Sequence, residues 1–252
     1  MSLISLLIAL AAERTLKSPL WQFNTVFSHY VDFFNRLNIK ERLSHSTYIA
    51  LALLLLPVVT VYLLLSLFSN DLIHFILSTV ILIVCFGCVG TRECYKKYLK
   101  AAYLGEKTTS DLHYQQLISD KNLPDIGFGQ TLIWLNYRYY IAIMLFFVVF
   151  GAPGAVFYRL LCMLDEKQRS QKISEAHDES VEIDDTEEND TDDIDETLSS
   201  LDTDFSKVLF FLDWIPVRIT SFGFMLVGHF SKAMPVWLEN AVDTNKGAQD
   251  LL

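Results

Sequence analysis

Five side chains stand where this sequence could support recognition or chemistry: Arg138, Tyr158, Arg159, Asp213 and Arg218. All lie inside or at the edge of apolar stretches, where a charged or hydrogen-bonding group is costly and marks a functional site by default. Arginine in such a place suits an anion. Its planar fork binds phosphate or carboxylate through two parallel hydrogen bonds and keeps its charge when partly buried. We therefore expect Arg138, Arg159, Asp213 and Arg218 to gather on the cytoplasmic side as an anion-binding cluster. The plainer reading makes the arginines interfacial anchors and Asp213–Arg218 an ion pair that locks a helix join.

These groups are positioned by a central stretch, Thr131 to Leu164, TLIWLNYRYYIAIMLFFVVFGAPGAVFYRLLCML. Its apolar run begins among Tyr137, Arg138, Tyr139 and Tyr140, breaks at Gly151-Ala152-Pro153-Gly154 and resumes to Tyr158 and Arg159. From Ile141 to Phe150 the helix reaches only about 15 Å, half of a ~30 Å hydrocarbon core. Proline removes a backbone donor and glycine loosens what remains. The segment is expected to be re-entrant, turning at Gly151–Gly154 and bringing Arg138 and Arg159 back to one side. Non-helical backbone survives at that depth only under protein cover or beside a water-filled cavity. An ordinary kinked span is the competing reading.

Composition places the chain in a bilayer. It has 252 residues, 52% hydrophobic and 13% aromatic, too apolar for a soluble domain. The formal charge of -10 belongs to one segment: Asp165 to Asp204 holds 17 of the 30 acidic residues and three of the 20 basic ones. The rest is mildly basic, 13 acids against 17 bases. No basic stripe interleaved with exposed aromatics points to nucleic acid. The motifs GxxxxGK[ST] and GxSxG do not occur, nor does a histidine pair at metal-ligand spacing. Cys85-Phe-Gly-Cys88 has redox spacing but lies in a membrane-length run without a βαβ context, so packing is its expected role. No cofactor and no metal are implied.

Along the chain, Met1 to Ala12 reads as a retained half-length apolar helix, and Leu16 to Arg42 as an amphipathic surface helix. Ser46 to Phe68 and Leu72 to Val89 read as a transmembrane hairpin with a periplasmic turn at Ser69-Asn70-Asp71, because basic residues flank only its outer ends. Helical spacing continues to Gly105. A second cytoplasmic helix starts at Thr108-Thr-Ser-Asp111 and ends at Asn122-Leu-Pro124. Residues 165–206, rich in Asp, Glu, Ser and Thr, read as a disordered acidic loop. Val208 to Phe230 is interrupted by Asp213, Pro216, Arg218 and Gly223 and reads as two short helices broken within Leu212–Arg218.

The fold class expected is an all-α polytopic membrane protein, with one transmembrane hairpin, broken or half-length membrane helices and amphipathic cytoplasmic helices. Its parts are a membrane domain over 1–164 with the hairpin at 46–89 and a cytoplasmic helical segment at 91–130, the acidic loop at 165–206, and a C-terminal region of broken membrane or interfacial helices and tail over 207–252.

Four blocks, IWLNYRYYIA (Ile133 to Ala142), GAPGAVFYRLL (Gly151 to Leu161), LDWIPVR (Leu212 to Arg218) and LVGHFSKAMPVWLEN (Leu226 to Asn240), resemble those of the AmpE family in order and type. Glu13-Arg14 fits as well. The resemblance implies a multi-pass protein of the bacterial inner membrane, not an enzyme, that modulates β-lactamase induction or a cell-wall stress response. Its expected partners are the lipid bilayer, an anionic small molecule such as a phosphate, a nucleotide or a cell-wall fragment, and other membrane proteins. The superfamily also holds the CobD/CbiB adenosylcobinamide-phosphate synthases, which makes a membrane synthase the rival reading. Two departures accompany the resemblance. The family's further C-terminal apolar helix has no counterpart up to Leu252. Where the synthases carry a Glu-Asn-Thr-x-Asp type sequence, this chain has Leu135-Asn136-Tyr137-Arg138-Tyr139-Tyr140, which keeps Asn136 as a candidate ligand-binding residue and lacks both acids. Phosphoryl chemistry leans on carboxylates to hold Mg²⁺ or move protons.

Overall fold

A computed structural model of the chain describes residues 2–15, 23–36, 46–68, 70–86, 89–121, 123–178, 204–228, 234–235 and 237–239. The principal elements are helical: α1 Ser2–Thr15, α2 Phe23–Arg36, α3 Ser46–Leu67, α4 Asp71–Phe86, α5 Val89–Tyr103, α6 Lys107–Lys121, α7 Phe128–Asn136, a π-helical turn Tyr137–Ile141, α8 Ala142–Asp178 and α9 Phe205–Val227. Two stretches, Phe128–Gln171 and Phe205–Val227, have the length and composition to cross a membrane. The shorter apolar helices Leu3–Glu13 and Leu51–Leu67 add to them, and α4 with the start of α5 forms a pair bent by 53°.

The helix α8 is two arms rather than one rod. Gly151 within it has φ 72° and ψ -161°, a conformation open essentially to glycine alone. Pro153 falls in the first turn of the returning arm, where its missing N–H is no loss. The two arms lie side by side. Phe146 stacks on Tyr158 with ring centroids 4.7 Å apart, and Arg138 reaches Asp165, 27 residues away, at 2.5 Å. A straight helix would hold those last two about 40 Å apart. Gly154 permits the tight tip, since a Cβ there would lie 2.4 Å from Phe150 Cβ and 2.8 Å from the Phe146 carbonyl oxygen. The expected return of Arg138 and Arg159 to one end of the hairpin is what the chain does.

Around this hairpin the other helices pack. α3 and α4 each lie along α8, α1 covers α4, and contact between α3 and α4 themselves is slight. The expected hairpin of 46–89 therefore has its two helices, but α8 fills the space between them. Leu53, Leu82, Phe86, Ile143, Leu161 and Leu164 form the centre of the resulting core. On α2, Phe23 and Phe27 are buried and the Tyr30 hydroxyl donates to the Leu53 carbonyl at 2.8 Å. Burial raises the Tyr30 phenol above its usual range.

α5 and α6, the two successive helices that the spacing of 95–121 implies, pack against each other beside the base of the hairpin. Tyr114 fixes the loop that leads to α7: its hydroxyl donates to Asp125 at 2.8 Å and accepts from the Gly127 amide at 2.9 Å. Burial raises this phenol too.

Two expectations need correction. The acidic loop does not begin at Asp165. The helix continues to Asp178, with Asp165 and Gln168 buried against the body. The reason is legible afterwards: Asp165 pairs with Arg169 one turn on, a spacing that favours helix. Residues 179–203 of that loop lie outside the described residues. The break expected in Leu212–Arg218 is also absent, since α9 runs unbroken from Phe205 to Val227 with Pro216 inside it. Two side chains also bond to its backbone near the proline, Arg218 to the Trp214 carbonyl and Thr220 to that of Pro216. Proline removes one backbone donor, a loss that an apolar helix tolerates where other helices pack over the site, and Pro216 and Val217 are buried.

Candidate functional site

The π turn is where the polar groups converge. Widening the helix by one residue sets consecutive side chains roughly a quarter turn apart, so four in a row address four sides of the axis. Here the four are Tyr137, Arg138, Tyr139 and Tyr140, and each meets a different carboxylate. The Tyr137 hydroxyl donates to Asp213 Oδ1 at 2.7 Å. Arg138 pairs with Asp165, both side chains being 5% exposed or less. The Tyr139 hydroxyl bonds Glu166, and that of Tyr140 donates to Glu13 Oε1 at 3.0 Å. The four acids come from α9, the returning arm of α8 (two of them) and α1.

A second ring of contacts holds each acid. Asp165 accepts from the Ser206 hydroxyl at 2.8 Å and from Arg169 Nε at 3.3 Å, which joins the start of α9 to the returning arm. Lys121, the last residue of α6, donates to Glu166 at 3.2 Å and sits 5.0 Å from the centre of the Tyr139 ring. Arg92 on α5 pairs with Glu13 at 3.1 Å. Asp213 takes two phenols, Tyr137 and Tyr158, on the same oxygen, the second at 2.8 Å. Two phenol donors thus solvate this buried carboxylate, and it has no ion pair among the described residues.

Of the residues expected to form the site, four come together. Arg138, Tyr158 and Asp213 belong to the hub directly, and the Arg159 guanidinium lies over the rings of Tyr139 and Phe23, 4.7 Å and 5.3 Å from their centres. Arg218 does not join them. It lies 4.1 Å over the Trp214 ring and donates to the Trp214 carbonyl at 2.9 Å, on its own helix. The expected Asp213–Arg218 pair is therefore absent, because in a continuous helix Asp213 faces the tyrosines and Arg218 leaves on another side. Asn136 is exposed, with its amide nitrogen bonded to the Leu132 carbonyl.

Asn136 lines a cavity of about 800 Å³ beside the hub. Leu10, Ala11 and Glu13 of α1, Thr91, Arg92 and Tyr95 of α5, Leu132 and Leu135 of α7, and Tyr139 and Tyr140 complete its walls. That is a mostly apolar space with a few convergent polar groups, the usual make-up of a small-molecule site.

With this geometry in view, comparison with known families is decisive: a family model described as "Regulatory signalling modulator protein AmpE" matches residues 1–180 and 192–252. The chain belongs to the AmpE family. A curated relative, Protein AmpE of Shigella flexneri, is 23% identical over 180 residues, 68% of this chain and 56% of that protein. The match thus spans little more than half of that AmpE's length. No solved structure matches. The blocks that carry the AmpE resemblance, YRYY, GAPG and LDW, are the π turn, the hairpin tip and the segment around the shared carboxylate.

Sequence reasoning missed Asp165, Glu166, Glu13, Arg92 and Lys121 as partners. A signal existed, since polar residues in an apolar segment must each find a partner. Acids at the edges of apolar runs are the candidates, although Asp71 and Glu93 meet that description equally well and take no part.

Proposed function

We propose that this protein is a non-catalytic, multi-pass signalling modulator of the bacterial inner membrane, acting on β-lactamase induction or the cell-wall stress response, with the π-turn hub as its switching element. The observation that carries the reading is that four consecutive residues of one turn are each tied to a carboxylate from elsewhere in the chain. Such a hub couples the membrane hairpin to α1, α6 and α9. A buried ion pair is held in place by the loss that follows when either partner is left alone, which suits an element with two discrete arrangements. An anionic ligand or an acidic partner segment that competes with Asp165 for Arg138 shifts the balance by its differential affinity for the two arrangements. The acids that the synthase motif would carry at 135–140 are absent there, which favours the regulatory reading over catalysis.

The test is β-lactamase induction in a deletion strain complemented with wild type, Asp165→Asn or Arg138→Gln. Both variants, compared with wild type expressed at a matched membrane level, are expected to alter induction in the same direction. Wild-type induction from both overturns the hub as the switch, and restored cobalamin synthesis in a synthase-deficient strain overturns the non-catalytic reading.

A further inference from the structure

We infer that the cavity between α1, α5 and α7 holds the head of an acidic phospholipid, with Arg92 reading its charge. Three features point to that ligand. The outer face of α1 is apolar and open, with Leu3 70% and Leu7 67% exposed, and it leads into the apolar wall formed by Leu10 and Ala11. An acyl chain lying along α1 thus arrives with its head at Glu13 and Arg92. The second feature is Arg92 itself. Both contacts that hold it, to the Glu13 carboxylate at 3.1 Å and the Glu13 carbonyl at 3.2 Å, use Nη1, which leaves Nε and Nη2 without a partner among the described residues. That free edge of the fork matches two oxygens of a phosphodiester. The third is the helix that carries it: Lys96, Lys97 and Lys100 of α5 are exposed, against one exposed acid, Glu93. Basic residues clustered beside a membrane helix draw anionic lipid.

Glu13 is the competing anion. Its carboxylate is held by the Tyr140 hydroxyl and by Arg92, so a bound phosphate shares Arg92 with it. This gives the two members of the pair opposite roles in binding. A merely structural salt bridge gives them the same role.

The experiment uses the full chain in a neutral detergent, offered equal amounts of phosphatidylglycerol and phosphatidylcholine, with retained lipid counted by native mass spectrometry. Phosphatidylglycerol is expected to be retained roughly tenfold better. Arg92→Gln brings the two lipids close to parity, Arg92→Lys keeps part of the preference, and Glu13→Gln increases it. Ala11→Trp, on the exposed wall of α1, fills the cavity and lowers retention with the fold intact by circular dichroism. Millimolar inorganic phosphate leaves the lipid in place. Equal retention of the two lipids by wild type, or a Glu13→Gln variant that behaves like Arg92→Gln, overturns the site. Displacement by inorganic phosphate alone overturns the lipid as its occupant. The inference goes beyond the regulatory reading, because retention is measured on purified protein whatever the β-lactamase response.

Discussion

The two ends of the α8 hairpin are built from the same pair of arms and share almost no chemistry. At the tip, Val148, Val149 and Phe150 are more than half exposed, and the turn relies on Gly151 and Gly154 with no polar side chain. At the base, Arg138, Tyr139, Asp165 and Tyr158 are buried, and the bonds made there tie the hairpin to α1, α6 and α9. Apolar contacts at the tip need only shape, and lipid supplies the rest of the surface. Hydrogen-bonding groups at the base need particular partners, so the base fixes which helices surround it. One arm pair can thus be cheap to insert at one end and specific at the other.

The largest expected effect comes from the base. Asp165→Asn leaves Arg138 buried without its counter-charge and should cost about 3–5 kcal/mol, read as a fall in thermal stability in detergent. Replacing both partners with apolar residues of similar volume should recover most of that loss. If the single variant is as stable as wild type, the base is no more specific than the tip. Next comes the turn, where Gly151→Ala forces a side chain into a glycine conformation at roughly 1–3 kcal/mol. Its unfolding midpoint should fall with the hub bonds still formed, which separates tip strain from base wiring.

A smaller loss belongs to Tyr158→Phe. Asp213 keeps one phenol, Tyr137, and loses the other, for about 1–2 kcal/mol, and Tyr137→Phe should match it. A double variant costing clearly more than the two singles together would show that the phenols substitute for each other. The smallest effect is that of Arg218→Ala, under about 1 kcal/mol, since the contacts described for it are a stacked ring and a bond on its own helix, outside the buried hub. A loss as large as that of Asp165→Asn would return Arg218 to the cluster that the sequence suggests.

The tip was legible in the sequence and the base was not, for physical reasons. A ten-residue apolar run broken by Gly-Ala-Pro-Gly cannot cross a bilayer, so length alone brings Arg138 and Arg159 back together. Length says nothing of partners. Asp165 and Glu166 were hidden by their neighbourhood, because they open a stretch whose average composition is that of a solvated linker, although Asp165 and Arg169 already sit one helical turn apart. The π turn was hidden too, since one extra residue in a helix changes which sides four residues face and leaves no mark in hydrophobic periodicity. In α9 the charged residues and Pro216 read as breaks, whereas an apolar helix packed along the body carries them without interruption.

The hub exists only if the hairpin closes at Gly151, and a distance measurement tests that most directly. Spin labels at Gln130 and Ser170, both exposed, on a background with the native cysteines replaced, report the separation of the two arms in lipid nanodiscs by pulsed electron resonance. Arms packed side by side give well under ~30 Å, including the label linkers. A single continuous helix across those residues gives about 60 Å, and that result would contradict the closed hairpin and every contact that depends on it.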